Sequence, residues 1–261
     1  MKIFASDYDG TFFKHRNRLP KELGRNIAWV KKWQAAGNLF VFATGRSIVA
    51  MGKEGNHVLP CDYIVGLNGS TIALPTGEIV ESKFMYKEVA LQLLDILNSK
   101  KIVGYSINSQ KKFYLKTRML QANWRLSLMG LMHFFSEHRA GYNEIINGSI
   151  AQIAIFTING QVAQNLSERI VEKFGDFVSS YPNISSVDIC PVGVSKTTGI
   201  EYIAKLHNIS KENIYAMGDS YNDIPMLKAY NGITVPEAVD EVKIHANGEY
   251  ATVADAIKNL I

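Results

Sequence analysis

A chain of 261 residues with 47% hydrophobic and 20% charged side chains has ordinary globular composition. It is long enough to bury a core without disulfide or metal staples, which excludes a disordered tail, a disulfide scaffold and a fibrous repeat. The net charge of +4 is scattered and suits a small anionic ligand. The densest basic cluster, 14–18, has no recognised nucleic-acid motif beside it and is read as a solvated loop, so no nucleic-acid partner is expected. Cys61 and Cys190 form neither a CxxC pair nor a zinc pattern, and reduced thiols in a cytoplasmic protein are expected. The apolar stretch before Asp7 is too short for a signal peptide. The most apolar segment, 126–135, falls short of the roughly 20 residues that a membrane helix needs, so no membrane partner is expected.

The elements follow in order. Lys2–Ser6 is an apolar run that reads as a strand. Leu23, Ile27, Val30 and Trp33 recur at helical spacing, which predicts a helix over 21–36, stopped by Gly37-Asn38. Leu39–Ala43 reads as a second buried strand, and Thr44-Gly45-Arg46-Ser47 opens the next helix. Tyr63–Leu67 is a third strand, and the turn signals Asn68-Gly69 and Thr76-Gly77 bracket short strands at 71–74 and 79–81. From about Lys83 the texture changes: a helix at 89–97, a hairpin of 102–107 with 113–116, and a long helical stretch from about Met119. A strand at 150–158, a helix at 162–174 and strands at 177–180 and 186–189 complete this block. After Pro191-Val192-Gly193 the first texture returns, with a helix at 196–207, a strand at 214–217, a short helix at 225–229, a strand at 233–235 and two closing helices. Strands alternating with helices predict a mostly parallel sheet covered on both faces. The fold class is α/β, with a Rossmann-like parallel-sheet core from 1–82 and 188–261 and an inserted α/β domain at 83–187.

Ligands of open α/β sheets bind beyond the carboxyl ends of the strands. Asp7-Tyr8-Asp9-Gly10-Thr11 stands there after the first strand. In the loop just past the strand the two carboxylates can converge on one site. Asp7 can then present its side chain to a cation and a phosphorus atom, and Asp9 its carbonyl to the cation and its carboxyl group to a proton transfer; Mg²⁺ favours such oxygen donors. Thr44-Gly45 follows the second strand, where a hydroxyl and backbone amides suit an anion. Asn68-Gly69 follows the third, and Gly218-Asp219-Ser220-Tyr221-Asn222-Asp223 follows the strand at 214–217. Lys196 opens a predicted helix, an unfavourable place for a cation unless it faces a bound anion.

In this order the segments resemble the haloacid dehalogenase-like phosphatases, and within them the Cof-type hydrolases, which carry a large α/β cap where this chain has its insert. The resemblance implies a Mg²⁺-dependent phosphatase of small phosphomonoesters, such as sugar phosphates or phosphorylated cofactors. It makes Asp7 the nucleophile that forms an aspartyl-phosphate and Asp9 the general acid and then base. It gives Thr44, Gly45, Lys196 and Asn222 to the phosphate. Mg²⁺ falls to Asp7, the Asp9 carbonyl and Asp219, with Asp223 acting through water or from behind the ligands. A phosphomutase or phosphotransferase on the same fold, or a non-catalytic phospho-ligand-binding protein, is the alternative. A monomer or weak homo-oligomer is expected. The cap would choose the leaving group, with Tyr105, Tyr114, Trp124, Arg125, His133 and His138 as candidates. Two features depart from the pattern: Tyr8 is bulkier than the usual aliphatic residue and is expected to pack away from the metal, and Thr234-Val235-Pro236-Glu237-Ala238 replaces a Gly-Asn-Ala loop. Arg46 is left between a structural and a substrate-binding role.

Overall fold

The structure, a computed structural model, describes residues 1–14, 20–52, 60–97, 102–110, 112–117, 143, 147–183 and 185–261. Outside these lie 15–18 of the basic cluster, the helix expected from Met119, the segment 126–135, and Trp124, Arg125, His133 and His138. Among the described residues no helix is long and apolar enough to cross a membrane.

The chain forms two compact units, one of Met1–Glu81 with Ser195–Ile261, the other of Ser82–Val194. The first contains β1 (Ile3–Ser6), α1 (Pro20–Ala35), β2 (Leu39–Ala43), α2 (Ile48–Gly52), β3 (Tyr63–Gly66) and β4 (Thr71–Ala73). β5 (Ile79–Ser82) reaches its end. In the second unit α3 (Lys87–Ile96), β6 (Ile102–Asn108), β7 (Phe113–Thr117), β8 (Gln152–Thr157), α4 (Gly160–Phe174), β9 (Val178–Pro182) and β10 (Ser186–Pro191) follow. The chain then returns to the first unit with α5 (Lys196–Leu206), β11 (Ile214–Gly218), α6 (Ile224–Ala229), β12 (Asn231–Thr234), α7 (Asp240–Lys243), β13 (Gly248–Glu249) and α8 (Val253–Lys258).

The first unit's sheet runs β13-β12-β11-β1-β2-β3-β4-β5 and is parallel from β13 to β3. Its central strands are buried on both faces. Phe4, Phe40 and Phe42 enter a core with Trp33, Tyr8 and Phe12, while Ile3, Ala5, Val41 and Ala43 enter another with Val65, Ile200 and Ile203. Successive side chains alternate between faces, so burial on both sides makes these strands read as continuous apolar runs. The second unit is a five-stranded antiparallel sheet, β7-β6-β8-β10-β9. Its core joins Val89 and Leu93 of α3 and Ile170 of α4 to Ile107, Ile153, Ile155 and Ile189 of the sheet. Asn159 caps α4 by accepting from Val162 N at 2.9 Å.

Among the differences from the sequence reading, two boundaries and one missed strand bear on the fold. The sequence reading ends the insert at 187, whereas β10 crosses that position and pairs with β8 and β9, and the compact unit closes at Val194. β3 ends at Gly66 rather than at Leu67, because Leu67 and Asn68 turn left-handed, with φ of 51° and 54°. β13 was not foreseen, since two residues carry no periodicity.

Candidate active site

β1 lies between β11 and β2, and the chain winds outward from it in both directions. Strand order reverses there, which opens a crevice past the strands' carboxyl ends. Asp7 follows β1 and donates its N–H to Met217 O at 2.8 Å, which ties the first loop to β11. Asp219 follows β11 directly. Gly10 has φ 85°, and a Cβ there would lie 2.8 Å from the Asp219 Cγ. Only glycine allows the two acidic loops to approach this closely.

One carboxylate oxygen from each of Asp7, Asp219 and Asp223 lies within 4.8 Å of the others. Lys196 stands among them, 1% exposed, with Nζ 2.6 Å from Asp7 Oδ1 and 2.7 Å from Asp223 Oδ1. The lysine that could pass for a surface residue in the sequence is therefore a buried ion-pair centre. Ser195 places it: its hydroxyl accepts from Thr198 N at 3.2 Å while Thr198 Oγ1 accepts from Ser195 N at 3.0 Å, a reciprocal cap that starts α5. Asp223 Oδ2 accepts from the N–H groups of Asp219 and Ser220 at 3.1 and 3.0 Å, so this side chain fixes both the loop and the lysine. Thr11 Oγ1 donates to Asp219 Oδ1 at 2.7 Å and orients that carboxylate.

Desolvation favours neutral groups, and crowding of like charge does the same for carboxyls. Burial pushes Asp7 well above the ordinary carboxylate range; Lys196 opposes this, while Asp223 and Asp219 reinforce it. Asp219 is pushed up to about 6, by burial and then by Asp223. Burial pulls the Lys196 ammonium down, but Asp223 and Asp7 outweigh it and keep it charged.

Asp9 lies apart from this cluster. Its carboxylate takes a two-pronged contact from Arg46, Nε to Oδ2 and Nη2 to Oδ1, both at 2.6 Å. Arg46 thus holds a candidate catalytic residue, a role the sequence reading left open. Thr44 is 1% exposed; its N–H donates to Val65 O at 2.8 Å and its hydroxyl accepts from Arg46 N at 3.1 Å. Gly45 lies between them, half-buried.

Leu67, Asn68 and Gly69 are three consecutive residues with positive φ. Such a conformation costs non-glycine residues about 1–3 kcal/mol each and persists only where surroundings over-determine it. Here Leu67 N donates to Arg46 O and Asn68 N to Thr44 O, both at 2.9 Å. Asn68 Oδ1 then accepts from Asn222 Nδ2 at 3.1 Å, in a buried contact. The other amide atom, Asn222 Oδ1, is buried without a hydrogen-bond partner among the described residues. The turn thereby couples the threonine loop to the acidic loop. A Cβ on Gly69 would meet the Ser195 carbonyl carbon at 2.7 Å and would need φ of 104°. Gly69→Ala should therefore cost more than about 2 kcal/mol in a urea unfolding experiment. A cost below 0.5 kcal/mol, on the scale of a neutral surface change, would show that the turn tolerates a side chain.

Asp7, Thr44, Lys196, Asp219, Asn222 and Asp223 all lie on one sheet edge, Asp9 on the same loop as Asp7. Asn68, whose amide the sequence reading turns toward the same crevice, holds Asn222 there, and Thr11, which the sequence reading gives no role of its own, orients Asp219; its signal is adjacency to Asp9-Gly10. The substituted loop at 234–238 stays close to the site through Thr234, whose hydroxyl donates to Gly218 O at 2.8 Å. In the second unit, Tyr105 and Tyr114 line a cavity of about 490 Å³ with Leu94, Asp95 and Lys116.

Residues 4–258 match the family of haloacid dehalogenase-like hydrolases. The chain is 23% identical to the 5-amino-6-(5-phospho-D-ribitylamino)uracil phosphatase YcsE of Bacillus subtilis, over 93% of this chain and 87% of that one. It is 24% identical to the pyridoxal phosphate phosphatase YbhA of Escherichia coli, over 94% and 92%. Among solved structures, a haloacid dehalogenase-like hydrolase from B. subtilis superposes with a TM-score of 0.80, 21% identity and full coverage of both chains. A subclass IIB sugar phosphatase superposes with 0.78 and 19%, covering 100% and 99%. With the parallel sheet and its acidic crevice already in place, the match over nearly the whole length settles the family: the chain belongs to the haloacid dehalogenase-like hydrolases, among relatives that are phosphatases.

Proposed function

We propose that this chain is a Mg²⁺-dependent phosphatase of small phosphomonoesters that works through an aspartyl-phosphate on Asp7. The observation that carries the reading is the buried set of Asp7, Lys196, Asp219 and Asp223 at the switch point of the sheet. With all three carboxyl groups ionised, as a bound cation would favour, the set and its one ammonium carry two uncompensated negative charges, and the donors are all hard oxygens. That set fits a small divalent cation such as Mg²⁺, held by Asp7, Asp219 and the Asp9 carbonyl, with Asp223 behind them. The cation supplies charge neutralisation for the incoming phosphate.

Asp7 Oδ1 is engaged by Lys196, which leaves Oδ2 as the attacking atom. Attack forms a bond from that oxygen to phosphorus and breaks the bond from phosphorus to the leaving oxygen, which takes a proton from Asp9. Water then attacks the same phosphorus, gives its proton to Asp9, and the bond to Asp7 breaks to release phosphate. One carboxyl group thus serves as acid and then as base. Thr44, the Gly45 amide, Lys196 and Asn222 hold the phosphoryl oxygens in this reading.

The substrates named for the relatives are phosphorylated ribityl and pyridoxal compounds, which supports a sugar phosphate or phosphorylated cofactor here. Cytoplasmic location and a monomer or weak homo-oligomer belong to the same reading. The test is hydrolysis of an aryl phosphate and a metabolite phosphate panel with and without Mg²⁺. Activity that needs the cation and incorporates solvent oxygen into phosphate is the expected result. Transfer to a second alcohol without solvent oxygen would favour a phosphotransferase, and inertness across the panel would overturn the enzyme reading.

The same charge balance predicts a stability effect. A carboxyl group whose folded pKa is raised contributes a penalty that grows as pH rises through its titration range, because the folded state then binds more protons than the unfolded one. Asp219, raised to about 6, carries that penalty at neutral pH without a cation. In EDTA at pH 7.5, Asp219→Asn should be more stable than wild type by about 1–3 kcal/mol. With Mg²⁺ at 100 times its dissociation constant, wild type should gain about 2.7 kcal/mol and the variant much less. Equal Mg²⁺ stabilisation of both proteins would remove Asp219 from the cation site.

A further inference from the structure

We propose that Tyr8 is a positioning residue for the proposed reaction, its ring serving as the platform that holds Arg46 in the plane where its fork grips Asp9. This rests on Asp9 acting as the general acid and base. The sequence placed Tyr8 between the two aspartates and expected it only to pack. It does pack: it is 2% exposed, stacked on Phe13 at 5.9 Å and Phe12 at 6.3 Å, and edge-on to Phe42 at 5.5 Å. The same ring also faces the Arg46 guanidinium, whose Cζ lies 5.3 Å from the ring centroid. That distance is within the range of cation–π attraction, which an aliphatic residue cannot supply.

The geometry gives the contact a purpose. The Asp9 side chain is 36% exposed, where an unheld carboxylate samples several rotamers. Two parallel hydrogen bonds from Nε and Nη2 fix the plane of the carboxylate only if the guanidinium plane is itself fixed. Main-chain bonds lock both ends of the arrangement. Phe13 N donates to Tyr8 O at 2.8 Å and Gly10 N to Phe13 O at 3.0 Å, while Arg46 is anchored through its N–H to Thr44 and its carbonyl to Leu67. The rigid aromatic cluster on one strand end therefore sets, through Arg46, where the Asp9 carboxyl group stands. Misplacement of a proton-transfer group by a fraction of an ångström lowers turnover without changing ground-state binding.

The test compares two substrates whose leaving groups differ in their need for a proton. Glycerol phosphate needs one; 2,4-dinitrophenyl phosphate does not, and its pre-steady-state burst reports the first half-reaction alone. Tyr8→Leu should lower kcat on glycerol phosphate about tenfold with KM within twofold, and leave the dinitrophenolate burst rate within twofold. Tyr8→Phe, which keeps the ring face, should restore the wild-type ratio between the two substrates. Arg46→Lys, which cannot form the two-pronged contact, should reproduce the leaving-group split and provides the measurement where Tyr8→Leu does not fold. An active wild type with both substrates slowed equally in these variants, or neither slowed, overturns the inference alone. A wild type inert on both substrates and across the metabolite phosphate panel overturns the phosphatase reading and this inference with it.

Discussion

Asp7→Asn should lose phosphomonoester hydrolysis by about a thousandfold or more while keeping the fold. The amide cannot act as an anionic nucleophile. Its oxygen can still accept from Lys196, so the 2.6 Å contact that anchors the lysine has a replacement. The change also removes one of three crowded carboxylates. Burial and two neighbouring acids raise Asp7 in the metal-free protein, so its ionisation opposes folding at neutral pH, and the variant should be at least as stable as wild type in EDTA. Two measurements check this. Steady-state hydrolysis with Mg²⁺ should fall to the background, and acid quenching with labelled substrate should trap a covalent phosphoryl group on wild type only. A variant that keeps a tenth of the activity, or still traps label, would move the nucleophile elsewhere.

Much of this site was legible because the residues that carry it are chemically expensive to place. Asp7-x-Asp9 at the end of an apolar strand, and Asp219 with Asp223 at the end of another, serve no packing purpose. The strands were legible for a related reason, since burial on both faces writes them as unbroken apolar runs such as Phe40-Val41-Phe42. Less legible were features that depend on distance along the chain. Lys196 is anonymous until 189 residues of separation are closed by its contact with Asp7. Arg46 reads as a helix-entry residue until it meets Asp9 across 37 positions. The left-handed turn at Leu67 and Asn68 contradicts local preference, because leucine does not favour positive φ; tertiary hydrogen bonds to Arg46 and Thr44 impose it. The compact unit runs past the expected end of the insert for the same reason, since the strand Ser186–Pro191 is defined by its partners rather than by its own six residues.

The second large effect is expected at Lys196, where catalysis and stability share one side chain. Lys196→Met keeps the length of the buried stem but removes the ammonium from between Asp7 and Asp223, 2.6 and 2.7 Å away. Removing one partner of a buried ion pair leaves charge uncompensated and costs about 3–5 kcal/mol. Protonation of a carboxyl group is the relief available, so the cost should be larger at pH 8 than at pH 6 when measured by urea unfolding in EDTA. Hydrolysis should fall by about a hundredfold or more, because the same ammonium faces the transferring phosphoryl group in the proposed mechanism. A second substitution separates the two roles. In Lys196→Met with Asp223→Asn, the amide oxygen can still accept from the Asp219 and Ser220 N–H groups that now bind Asp223 Oδ2. The double variant should therefore recover most of the lost stability and none of the activity. If Lys196→Met unfolds at the same urea concentration as wild type, the buried pair contributes nothing to the fold. If the double variant instead regains turnover, the lysine acts only through Asp223 and not on the substrate.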